Sequence, residues 1–209
     1  MDFSPDRKAF VVIDLWDWIQ KWISGEQQID IKEPAKNSFW TEDGSALFIH
    51  SHGRIKVFTP ISGAKEAGRL TTVSLRWDTA SEAVTESSSS LKRENVIWVD
   101  YFAAGNALVV LTDSALELWE LDAAPRLAKS MKQVISHKVT NSRGGILSPN
   151  HQLVLLMPER SGDQPAKDHP KATLWYLEFK DGKFSIDDKG EVPLSNRVPR
   201  AAFAGTAAR

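Results

Sequence analysis

Apolar and polar positions along the chain fall into one short pattern that recurs four times. A bulky residue leads into a polar turn, and a continuous apolar run follows. A second turn comes next, then an alternating stretch that ends on an aromatic. The first copy runs from Phe3-Ser4-Pro5-Asp6 through Phe10-Val11-Val12-Ile13 to Trp22, and the second from Trp40-Thr41-Glu42-Asp43-Gly44 through Leu47-Phe48-Ile49 to Phe58. The third runs from Phe102 through Leu108-Val109-Val110-Leu111 to Trp119, and the fourth from Leu147-Ser148-Pro149-Asn150 through Leu153-Val154-Leu155-Leu156 to Trp175. Units of about 40 residues with this internal grammar are the mark of propeller blades, which must stack to bury their faces.

The uninterrupted apolar runs predict strands covered on both faces, because a strand with one wet face alternates instead. The stretches that follow do alternate. Ile55 and Val57 precede Phe58, Leu116 and Leu118 precede Trp119, and Ala172 and Leu174 precede Trp175. Period-2 spacing puts each apolar pair on one face and the terminal aromatic on the other. In copy one Lys21 stands where an apolar residue is expected, and the aromatic density of Leu15 to Ile23 also suits a helix; the match to the other copies favours strand. Asp43-Gly44, His52-Gly53 and Asp181-Gly182 supply the φ > 0 residues of tight hairpins, while Pro5-Asp6, Gly105-Asn106 and Pro149-Asn150 are turn pairs at one repeat position.

This register predicts a single all-β domain over 1–209, with blades at roughly 3–34, 35–73, 96–135 and 139–194. Two insertions interrupt it. One, at 74–95, contains Ser87-Ser88-Ser89-Ser90 and is expected to be a flexible loop; the other, at 161–170, carries Pro165 and Pro170. A further strand begins at 197–204, around Val198 to Phe203. That strand either completes the blade begun at Phe3, closing a small ring, or belongs to a longer propeller of which this is a portion. An incomplete ring would expose strand edges and favour self-association.

Composition narrows the picture further. The net charge of -1 offers no general attraction for nucleic acid or an anionic membrane, so neither partner is expected. The chain has no cysteine, which removes disulfides and thiolate metal sites and fits an intracellular, cytoplasmic or nuclear setting. Of eight tryptophans, Trp22, Trp40, Trp119 and Trp175 fall on repeat slots; Trp16, Trp18, Trp77 and Trp98 do not. Trp77 is therefore expected in the first insertion, away from the core.

The Ser-Pro-Asp-like turns at Ser4-Pro5-Asp6, Glu42-Asp43-Gly44 and Ser148-Pro149-Asn150, with strands ending in Trp, resemble the WD-repeat family of β-propellers. Thr112-Asp113-Ser114-Ala115-Leu116-Glu117-Leu118-Trp119 is the best copy. The namesake dipeptide is replaced by Trp22-Ile23, Phe58-Thr59, Trp119-Glu120 and Trp175-Tyr176. The family's structural Asp survives only at Asp113, with His52 and His169 at the equivalent places. The resemblance implies a four-bladed propeller or a portion of one, and a non-catalytic scaffold that presents its loops to other proteins.

Chemistry-bearing motifs are sparse. His50 and His52 lie two apart without a third ligand nearby, so a turn histidine is the simpler reading than zinc. No nucleophile elbow, phosphate-cradling Gly-rich loop or His-Glu-x-x-His pattern is present. Asp14 and Asp17 could face a central channel; Asp181, Asp187 and Asp188 read as an outer hairpin. Arg197, Arg200, Arg209 and Lys92-Arg93 lack interleaved aromatics for single-stranded nucleic acid. Serines 87 to 90 beside Lys92-Arg93 are also candidates for phosphorylation. No catalytic residue, metal ligand or cofactor is expected. The alternative function is a propeller-based hydrolase or lyase, which needs His, Asp, Glu or Arg from several blades to converge at the channel mouth.

Overall fold

A computed structural model describes residues 2–5, 7–13, 18–24, 26–61, 69–78, 91–158 and 171–194. Among them, strands are gathered into four sheets that follow one another along the chain. Blade 1 holds β1 (Asp2–Phe3), β2 (Ala9–Ile13), β3 (Trp18–Ser24) and β4 (Gln27–Pro34). Blade 2 holds β5 (Asn37–Trp40), β6 (Leu47–Ser51), β7 (Arg54–Pro60) and β8 (Leu70–Ser74). After β9 (Arg76–Asp78), blade 3 holds β10 (Val96–Phe102), β11 (Ala107–Thr112), β12 (Ala115–Leu121) and β13 (Ser130–Lys138). Blade 4 holds β14 (Ser142–Leu147), β15 (Leu153–Pro158), β16 (Lys171–Lys180) and β17 (Lys183–Pro193). Each blade is an antiparallel meander in chain order, so the fold is all-β and propeller-like, with four blades.

The apolar runs become the second strand of each blade and the aromatic-ending stretches the third, which rules out a helix over Trp18–Ser24. The bulky residues that open each copy end the first strand, as at Trp40, Phe102 and Leu147. Blade 1 does possess its innermost strand, short as it is: Asp2 pairs with Val11 and Phe3 with Phe10.

The recurrent polar turn has a physical basis at its first residue. Ser4, Thr41 and Ser148 are buried, and each hydroxyl accepts the backbone N–H of the residue five positions on, Ala9, Ala46 and Leu153, at 3.0, 3.0 and 2.9 Å. The same pairs are closed by a second bond between main chains. The residue three after the hydroxyl is left-handed in all three turns: Arg7 (φ 58), Gly44 (φ 68) and His151 (φ 55). Two other turns, His52-Gly53 (φ 49, 73) at the opposite end of the sheets and Asp181-Gly182 (φ 51, 72) at the same end as Ser148, are two-residue hairpins with both residues at positive φ.

The largest departure from the expected layout lies in the 74–95 stretch. Arg76–Asp78 runs parallel to β13 and makes blade 3 five-stranded, with Met131 opposite Trp77. Trp77 is buried, packs edge-on against Trp119 with ring centroids 4.8 Å apart, and donates its indole N–H to the carbonyl of Gly53 at 3.1 Å. It belongs to the same core as Phe48, Val57, Leu108 and Trp119, between blades 2 and 3. The expected placement of Trp77 outside the core is wrong because period-2 patterning cannot register a three-residue strand. Arg93, at the far end of the stretch, also turns inward. Its guanidinium binds both carboxylate oxygens of buried Glu117 and lies over the rings of Trp77 and Trp119. A Cβ on Gly53 would meet the Arg93 carbonyl oxygen at 1.7 Å, so glycine is required there for contact as well as for φ. Residues 79–90, which include the serine run, and the 161–170 insertion lie outside the described residues, as do Asp14, Asp17, His169 and the Val198 to Phe203 strand.

Candidate functional site

The first-to-second-strand turns of blades 2, 3 and 4 share one end of the stack, and there their polar side chains meet. Blade 2 brings Thr41, Glu42, Asp43 and Ser45; blade 3 brings Tyr101 from the end of its innermost strand, and Arg126 from its outer turn; blade 4 brings His151. A pocket of about 410 Å³ is lined by all of these except His151, together with Ala103, Ala124 and Pro125. His151 reaches its edge, with Nε2 lying 3.6 Å from a Glu42 carboxylate oxygen.

His151 is aimed by its backbone. It occupies the left-handed position of the recurrent turn, filled by glycine in blade 2, and its Nδ1 lies 2.7 Å from the Tyr101 carbonyl oxygen. A carbonyl only accepts, so Nδ1 carries a proton, and Nε2 is the ring nitrogen that faces Glu42. Positive φ on a non-glycine residue is uncommon and is found repeatedly at functional positions.

The neighbouring groups are held equally firmly. Tyr101 donates its hydroxyl to Asn106 Oδ1 at 3.1 Å, and Asn106 Nδ2 donates to the Ala123 carbonyl at 3.0 Å. Burial, with Asp43 and Glu42 adding to it, pushes the Tyr101 phenol up to about 12, so it stays a neutral donor. One oxygen of Asp43 accepts the Thr41 hydroxyl at 2.6 Å, the Ser45 hydroxyl at 2.7 Å and the Ser45 N–H at 3.0 Å. The Thr41 hydrogen bond is the main cause that holds its carboxyl below the usual range. Asp43 is therefore an occupied turn staple, whereas Glu42, at 63% side-chain exposure, is open to a ligand. Among the described residues, no cluster of three His, Cys, Asp or Glu is arranged to hold a metal ion.

Sequence reasoning missed every member of this site, because it treated the turn residues only as turn-formers. The available signal was the equal offset of Arg7, Gly44 and His151 from their turn hydroxyls, with a titratable side chain where a glycine would suffice. The histidines that were considered lie elsewhere. His50 is buried in β6 with Nδ1 3.0 Å from Asn37 Oδ1, and His52 sits in the hairpin beyond it. Lys92-Arg93 is no basic surface patch either, since Arg93 is turned into the core.

Solved structures match this architecture over nearly the whole chain. Hsv2 of Kluyveromyces marxianus superimposes with a TM-score of 0.52 at 13% identity, covering 90% of this chain and 59% of that one. The periplasmic gluconolactonase PpgL of Pseudomonas aeruginosa gives 0.53 at 16% identity, covering 92% and 53%. A Bacteroides fragilis protein provisionally assigned as a 6-phosphogluconolactonase gives 0.56 at 13%, again covering 92% and 53%. The chain has a β-propeller fold. It spans a little over half the length of these propellers. No protein-family model matches the propeller, and no curated protein matches it in sequence. The WD-repeat resemblance thus finds no support beyond the fold, and enzymes stand among the structures that share it. The expected non-catalytic interaction scaffold is corrected on that finding.

Proposed function

We propose that this propeller carries the channel-mouth site of an ester hydrolase that opens a small cyclic ester of the sugar-lactone type. The observation that carries the reading is the Glu42–His151 pair at the edge of a pocket between blades 2 and 3, with the imidazole Nδ1 proton held by the Tyr101 carbonyl. The shared fold with proteins named as gluconolactonases adds support from a separate direction.

In this reading a water between His151 and the substrate attacks the lactone carbonyl carbon, and its proton passes to His151 Nε2. The resulting imidazolium lies against the Glu42 carboxylate, a favourable pairing at 3.6 Å. Arg126, on the pocket wall, faces the negative charge that develops on the carbonyl oxygen. The ring C–O bond then breaks, and the departing alkoxide takes the proton back from Nε2, leaving a hydroxy acid and a neutral histidine. Tyr101, kept protonated, and Asn106 hold the floor of the pocket and take no part in proton transfer.

The test is hydrolysis of glucono-δ-lactone, followed by acid release and corrected for the spontaneous rate. Replacing a general base lowers such rates about 10²–10⁴-fold, so His151→Ala should lose about 100-fold or more in kcat/KM, and Glu42→Gln a smaller part. Equal rates for the parent protein and His151→Ala, both folded by circular dichroism, would refute the assignment.

A further inference from the structure

The opposite end of the stack carries the opposite charge. Where the last strand of blade 1 meets the β6–β7 hairpin of blade 2, a pocket of about 230 Å³ is lined by Glu33, Pro34, Ile49, Ser51, His52, Arg54 and Lys56. With a water's share of liquid near 30 Å³, the space takes about seven waters, or a small anion with part of an organic group. Its polar lining is mostly donors. The Lys56 ammonium gives one of its three N–H groups to Glu33 at 2.7 Å and keeps the others. Arg54 is exposed and makes no ion pair among the described residues, so its guanidinium fork is free to take a ligand. Ser51 Oγ lies 2.8 Å from His52 Nδ1; a hydroxyl donated there leaves the His52 proton on Nε2, a further donor.

Two observations point the same way. The hairpin is fixed before any ligand arrives, because both turn residues are left-handed and the Gly53 carbonyl accepts the Arg93 N–H at 3.0 Å and the Trp77 indole at 3.1 Å. The local field is positive as well. Burial first, and then the charge of Lys36, hold His50 down at about 4.

We propose that this pocket is a binding site for a small soluble phosphate monoester, with Arg54, Lys56 and His52 around the phosphate, Ser51 holding the His52 ring, and Ile49 and Pro34 against the organic group. Donors of three side chains around one space suit the several oxygens of a phosphate better than the two of a carboxylate. The site lies at the other end of the sheets from His151 and does not depend on the hydrolase reading.

Titration of the full chain with inorganic phosphate and then glucose 6-phosphate, at constant ionic strength made up with chloride, tests it by amide shifts in nuclear magnetic resonance. The expected result is saturable binding with shifts centred on Ser51 to Lys56, tighter for the sugar phosphate. Arg54→Gln should weaken binding about tenfold, as loss of a charge-assisted hydrogen bond does. Glu33→Gln should tighten it by freeing Lys56, and this variant tests the site even if Arg54→Gln folds poorly. Lactone hydrolysis by Arg54→Gln should equal that of the parent. Absence of saturation, or unchanged affinity in both variants, overturns the proposal. Cosedimentation with phosphatidic acid vesicles that free phosphate does not displace would overturn a soluble ligand.

Discussion

The second strands of the four blades read alike in sequence and differ in what covers them. In the interior blades, β11 is buried at every position and β6 at all but its last. In the outer blades the same kind of run is only partly covered. Phe10, Val12 and Ile13 of β2 remain partly exposed while Ala9 and Val11 are buried, and β15 leaves Leu153 and Met157 partly exposed around Val154 to Leu156. A continuous apolar run therefore reports that both faces of a strand can pack, and position in the stack decides whether both do. The seams differ too. Between blades 2 and 3, buried Glu117 accepts the Trp119 indole N–H at 2.8 Å and pairs with Arg93. In blade 4, Thr173 takes the place of Glu117 and accepts the Trp175 indole at 3.3 Å, with no ion involved.

The widest gap between interior and outer blades is expected at these two residues. Glu117→Gln leaves the Arg93 guanidinium without its counter-charge and should cost about 4 kcal/mol, as breaking a buried ion pair does. Thr173→Val should cost about 1 kcal/mol, the price of one neutral hydrogen bond. Urea denaturation of both variants measures the difference, and equal midpoints would erase the distinction between the seams. A smaller gap separates two leucines. Leu111→Ala, fully buried, should cost about 3 kcal/mol, and Leu153→Ala, partly exposed, about 1 kcal/mol. Comparable losses would mean that blade 4 is covered by something its exposure does not show.

A third expected effect is a pH dependence confined to the interior. Burial holds His50 at about 4 in the folded protein, below its ordinary 6.5, so protonation favours the unfolded chain. The stability it permits is complete above about pH 6.5 and is lost as pH falls toward 4. Between pH 7 and pH 5 that amounts to about 2 kcal/mol, measurable as a drop in melting temperature. His50→Gln should flatten this window. An unchanged slope in that variant would assign the acid sensitivity to other groups.

The fold was legible where one side chain sees only its neighbours in sequence. Val109 and Val110 announce a strand covered on both faces, and His52-Gly53 announces a tight hairpin, because the causes are local. Trp77 was illegible for the opposite reason. Nothing in Arg76-Trp77-Asp78 marks a strand, and its burial comes from Trp119, Gly53 and Met131, brought to it by folding. The candidate site failed to show for the same reason. Glu42, Tyr101 and His151 each read as an ordinary turn or strand residue, and only the stacking of three blades sets them side by side. The basic pocket did not show either, since His52 read as a turn residue and the other wall comes from blade 1.

The parallel pairing of β9 with β13 also bears on how the molecule is made. Trp77 leaves a ribosome well before Met131, the residue it will face, so blade 3 cannot gain its outer strand until its own four-stranded meander exists. Closing that long loop carries an entropic cost that local hairpins avoid, which places the docking of this strand late in folding. Until then the edge of β13 is bare and able to pair with another chain. The early chain segment thus acts as a latch, and shedding it would reopen that edge to aggregation before any blade had come apart.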